Sequence, residues 1–101
     1  MRFEEAKSLL RTTIPVARRF LGERNETTLW MRWVYARALY DDPGRTLADI
    51  REVVTTLEET EAIARRVLGG AHPTTTGIDT CLRQSRVLLR AREAGEKFGE
   101  S

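Results

Sequence analysis

Apolar residues recur along this chain in steps of three and four, the period of an amphipathic α-helix, and no segment sustains the alternation of a half-buried strand. In the first segment, Phe3 to Leu21, they fall at Phe3, Ala6, Leu9, Leu10, Ile14, Ala17 and Leu21, and Gly22 follows as a helix C-cap. Pro15 lies inside that pattern. It removes a backbone donor and its ring crowds the preceding turn, so a kink near Arg11–Ile14 or a local break is expected. A second helix runs through "LWMRWVYARALY", with Thr27 or Thr28 placed to cap it, and "DDPG" at Asp41–Gly44 stops it. Thr46 then caps a third helix, and Asp49 three residues later completes a box-like start. Its apolar face holds Leu47, Ile50, Val54, Leu57, Ala64 and Leu68, flanked by Val53, Ile63 and Val67, and Gly69-Gly70 ends it. Pro73 suits the first turn of a fourth helix, which carries Ile78, Leu82, Ser85 and Leu89 on one face. The pattern predicts an all-α domain of four helices over residues 1–95, with residues 96–101 as a frayed tail.

The chain also repeats itself. "ARRFLGERNETTL" (Ala17–Leu29) and "ARRVLGGAHPTTT" (Ala64–Thr76) align without a gap at an offset of 47 residues, sharing Ala-Arg-Arg, Leu-Gly and Thr-Thr. Each copy ends one helix, stops it with glycine, crosses a short polar loop and starts the next. Helix–loop–helix units recurring at this length are the mark of an α-solenoid, whose members bury their faces by stacking on neighbours.

"FEEAKSLLRTTIPVARRFLG" and "EAIARRVLGGAHPTT" resemble tetratricopeptide repeats of the kinesin-light-chain type. The likeness is strongest at Phe3–Ala6, Phe20–Gly22 and Val67–Pro73, and the periodicity extends over nearly the whole chain. It implies a short α-solenoid of antiparallel helix pairs: the second helix of one repeat, a complete pair, then a closing first helix. The chain departs from the family at Pro15, at Asn25-Glu26 in place of His-Pro, at Arg32 where a large apolar residue is expected, and in its longer spacing, which falls in "YDDPGRT".

Composition narrows the function. At 101 residues, with 41% hydrophobic and 32% charged, the chain is one soluble-type domain with a modest core. Seventeen basic residues interleave with 15 acidic ones for a net charge of +2, so a concentrated nucleic-acid face is not evident outside the arginines of the last helix. A single cysteine, Cys81, excludes an internal disulfide and fits a reducing compartment. No apolar run approaches a membrane span, and the N-terminus carries acids where a targeting peptide would not. The expected setting is intracellular, soluble and most simply cytoplasmic.

Candidate chemistry is sparse, and no enzyme, cofactor or metal site is expected. His72 has no second histidine to join it, and metal sites need three or four convergent ligands. "LGGAHPTTT" lacks the Gly-Lys-Ser/Thr of a phosphate loop. Cys81 has no base within a helical turn. Glu58, Glu59 and Glu61 point to different sides of a helix. Arg18-Arg19 and Arg65-Arg66 suit helix C-termini better than an acidic ligand.

The aromatic strip Trp30, Trp33, Arg37 and Tyr40 is the stronger candidate. By the resemblance, first helices line a concave groove that takes partner segments, which would place this strip beside Thr80, Gln84 and Val87 of the fourth helix. Aromatic and arginine residues make such grooves into hot spots. The alternative is that Trp30 and Trp33 are ordinary core. The leading expectation is a non-catalytic protein-interaction scaffold whose open end is covered by self-association or by docking into a larger assembly. The rivals are a small structural or linker subunit of a complex, and nucleic-acid binding through Arg83, Arg86, Arg90 and Arg92.

Overall fold

Four helices form in the order α1 (Phe3–Phe20), α2 (Glu26–Asp41), α3 (Leu47–Val67) and α4 (Pro73–Gly99). They are seen in a computed structural model that describes the backbone of residues 2–99 and the side chains of residues 2–96. Among the described residues there is no strand. Each helix packs on the one that follows it, α2 also touches α4, and α1 and α3 make no backbone contact with each other. The molecule is elongated, 48 × 30 × 21 Å along its principal axes.

The helix ends follow from local chemistry that recurs at the 47-residue offset. Gly22 (φ +90°) and Gly69 (φ +93°) both turn the chain through the left-handed region, which L side chains rarely adopt. The Leu21 and Leu68 amides donate back to the Ala17 and Ala64 carbonyls, 2.8 Å in each case. After the glycine, Asn25 rather than Thr27 or Thr28 caps α2: its Oδ1 accepts from the Thr27 amide at 2.8 Å. A side chain one residue before the helix reaches the second-residue N–H, whereas a threonine already inside the first turn does not. The Thr46–Asp49 box forms as expected, with bonds of 3.1 and 2.9 Å in the two directions.

Pro15 does not break α1, which runs unbroken from Phe3 to Phe20. The ring is on the exposed side, where water can satisfy the Arg11 carbonyl that loses its partner. One turn earlier, the Thr12 and Thr13 hydroxyls donate to the Ser8 and Leu9 carbonyls at 3.1 and 2.7 Å. At the other end α4 remains helical to Gly99; the tail assigned to residues 96–101 lies partly outside the described residues.

The apolar core lies among α2, α3 and α4, built on Leu29, Leu39, Val53, Leu57, Ile78 and Leu82. Helix α1 joins its margin through Leu10 and Ile14. Polar bridges do much of the remaining fastening. Lys7 Nζ reaches Asp42 at 2.9 Å, tying α1 to the turn after α2. Arg32, standing where an apolar residue is expected, is buried and reaches Glu59 of α3 at 2.9 Å.

Candidate functional site

The two helices that correspond in the repeat, α2 and α4, meet at Trp33 and Gly77. A Cβ on Gly77 would lie 2.5 Å from Trp33 Cη2, so only glycine lets the indole lie this close to the α4 backbone. Trp33 packs on the core cluster, and its buried Nε1–H has no hydrogen-bond partner among the described residues. Further along both helices lies a groove of about 520 Å³, lined by Tyr40 from α2 and by Arg83, Gln84, Val87, Leu88 and Ala91 from α4. The Arg45 guanidinium sits 5.5 Å from the centre of the Tyr40 ring, so the ring is braced from the side of the α2–α3 turn. Val87 is 63% exposed, an unusual degree for a valine in the middle of a helix.

The sequence-predicted groove residues thus occupy four settings. Tyr40 and Gln84 meet in the groove. Trp33 forms the interhelix joint. Trp30, half exposed, and Arg37, exposed and 3.5 Å from Asp41, lie on one open face of α2. Thr80 is exposed on α4 and turns its hydroxyl back to the Thr76 carbonyl at 2.9 Å. Leu88 and Ala91 complete the groove and carry no sequence signal of their own, because they fall where the pattern of α4 gives way to the charged tail.

A second, polar cleft lies among α1, α2 and α3. Arg11 Nε donates to the Tyr35 hydroxyl at 3.0 Å, and that hydroxyl donates to Glu52. Burial, and then the bond to Glu52, push the Tyr35 phenol above its ordinary pKa and keep it neutral. Arg18 and the Arg32–Glu59 pair share the same cleft of about 340 Å³. Its charges are largely matched internally, which leaves little net attraction for a charged ligand.

The candidates for chemistry have structural partners. His72 Nδ1 accepts from the Thr74 amide at 3.1 Å, so this ring caps α4 as Asn25, 47 residues earlier, caps α2. Its Nε2 faces Glu26 at 3.5 Å. Glu58, Glu59 and Glu61 separate to Arg86, Arg32 and Arg65, at 2.9, 2.9 and 2.6 Å. Cys81 is buried, and burial pushes its thiol above the ordinary range, away from the thiolate a nucleophile needs. Among the described residues, no group of three or more His, Cys, Asp or Glu side chains is placed to hold a metal ion.

No family model, curated protein or solved structure matches this chain. The class its fold and surface define is an all-α chain of four helices with a shallow apolar groove between two corresponding helices. None of the described helices is long and apolar enough to cross a membrane.

Proposed function

We propose that this chain is a non-catalytic protein-interaction module, a short α-solenoid of antiparallel helix pairs that takes a partner segment along the face shared by α2 and α4. The observation that carries this reading is the apolar groove between Tyr40 and Val87-Leu88-Ala91, on the two helices that correspond across the 47-residue offset. Its walls are apolar and its rim is polar, with Gln84 and Arg83 along one side, the distribution of a peptide-binding hot spot. The repeated glycine stops and the matched Asn25 and His72 caps support the solenoid. The kinesin-light-chain-type tetratricopeptide likeness agrees with it.

Selection of binders from a displayed peptide library tests the proposal. Enriched peptides are expected to lose at least about tenfold in affinity with Val87→Asp or Tyr40→Ala, a loss of about 1.4 kcal/mol. They should be indifferent to Val16→Asp on α1. Enrichment of nothing, or of peptides insensitive to Val87, sinks the groove reading.

A second reading, a structural or linker subunit that binds folded partners over its outer faces, is favoured by exposed Leu9, Val16 and Phe20 on α1. Nucleic-acid binding through α4 has less support, since two of its four arginines face acids of this chain, Arg83 facing Asp79 at 2.6 Å and Arg86 facing Glu58 at 2.9 Å.

A further inference from the structure

Helix α1 has two apolar faces and fills only one. Lys7, Leu10, Ile14 and Ala17 turn toward the body of the protein, with Lys7 and Ala17 buried and Leu10 and Ile14 partly so. Leu9, Val16 and Phe20 form a second stripe roughly 120° around the helix at 3.6 residues per turn. They are 67%, 51% and 76% exposed. On α3 the offset carries Leu9 onto the polar Thr56, Val16 onto Ile63, which packs on the core, and Phe20 onto Val67, 41% exposed, so only α1 carries an exposed apolar residue at all three positions.

The opposite end of the molecule is built differently. Where α2 buries Leu29, Ala36 and Leu39 to 1% exposure or less, α4 places exposed Thr76, Arg83 and Arg86 at the offset positions. Helix α4 therefore presents water with a polar outer face, as a terminal capping helix does, while α1 presents an apolar one. A head-to-tail stack would set that apolar stripe against threonines and arginines.

The charges beside the stripe point to a different partner. Helix α1 is acidic at its start (Glu4, Glu5) and basic at its end (Arg18, Arg19). Glu5 and Arg19 lie on the same flank of the stripe, with Thr12 between them, all within about 40° of one another around the helix. A face that runs from negative to positive is complementary to itself turned end for end.

We propose that the Leu9–Val16–Phe20 stripe of α1 pairs antiparallel with the same stripe of a second copy of this chain, making a twofold dimer. With the axis between Thr12 and Thr13, Leu9 meets the partner's Val16 and Phe20 lies over the stem of the partner's Glu5. Glu5 pairs with the partner's Arg19, and the contact occurs twice by symmetry. Among the described residues, Glu5 has only the exposed Arg2 at 3.4 Å to leave, and Arg19 only the Phe20 ring, 5.7 Å away. The α2–α4 groove takes no part, so the dimer stands or falls independently of peptide binding there.

The test is sedimentation velocity and light scattering on the 101-residue chain over a wide concentration range. A monomer–dimer equilibrium is expected. Val16→Glu should weaken it at least tenfold with unchanged helical circular dichroism, since Val16 is half exposed. Glu5→Arg and Arg19→Glu should each weaken it about tenfold, because each turns two attractive rim contacts into repulsive ones. Mixed together, those two variants should restore a heterodimer of about wild-type strength, which a merely sticky surface does not do. A monomer at every concentration overturns the proposal. So does a dimer indifferent to Val16→Glu, a mixture no tighter than its components, or a ladder of higher oligomers.

Discussion

Removing the His72 ring takes from α4 the acceptor that satisfies the Thr74 amide, one of the N–H groups a helix start leaves unpaired. His72→Ala should therefore lower stability by about 1 kcal/mol in urea unfolding, whereas His72→Asn, which copies the Asn25 cap of α2, should retain most of it. Equal losses from both substitutions would show that the ring acts by packing and not by capping. A second residue-scale prediction concerns Gly77, where a methyl group would collide with the Trp33 ring. Trp33 cannot retreat without disturbing the core it packs on, so Gly77→Ala should cost about 1–3 kcal/mol despite alanine's better helix propensity. Tryptophan fluorescence should shift as the indole moves toward solvent. Combining Gly77→Ala with Trp33→Leu should cost less than the two changes summed, and strict additivity would remove the close contact as the cause.

At the scale of single helices, α1 contains its own correction. Pro15 denies the Arg11 carbonyl its partner, yet the helix continues through it. Pro15→Ala should raise stability by about 1–3 kcal/mol, the interior-proline penalty less the entropy that proline removes from the unfolded chain. No change in the unfolding midpoint would mean that α1 already pays nothing for the ring. The Lys7–Asp42 bridge makes the attachment of α1 depend on pH. Lys7 first, and then the Gly44 amide, hold the Asp42 carboxyl below the ordinary carboxylate range. A carboxylate depressed in the folded state stabilises above its unfolded pKa, near 3.9, and loses that stabilisation as pH falls through the folded value. Acid should therefore loosen α1 first, and Asp42→Asn should flatten the acid limb of the stability profile. Helix existence and most boundaries were legible from the 3.6-residue period, the glycine stops and the Thr46–Asp49 box. The Asn25 and His72 caps were less so: the period does not show that α2 starts at Glu26, ahead of Thr27 and Thr28, and histidine is a rare capping residue. The division of the aromatic strip was also hidden. Trp33 and Trp30 are three residues apart in sequence, and only the position of Gly77 decides which of them is the joint and which faces water.

Across the whole molecule, the core is off-centre. It lies among α2, α3 and α4, and α1 is fastened at its margin by Leu10, Ile14, Ala17 and the polar contacts of Lys7 and Arg11. Sequence periodicity alone does not reveal this, since Leu9 and Val16 fit a helical pattern whether or not a neighbour covers them. Opening α1 leaves the α2–α4 core intact, so its free energy should fall well below that of global unfolding. Native-state hydrogen exchange on dilute protein should find the α1 amides exchanging through a sub-global opening with a shallower denaturant dependence than α3, which exchanges only by global unfolding. If α1 pairs with a second copy, raising the protein concentration should slow exchange in α1 and leave α3 unchanged, because dimerisation stabilises only the state in which α1 is docked. Uniform protection of all four helices would instead make the molecule a single cooperative unit, with α1 as firmly held as the core.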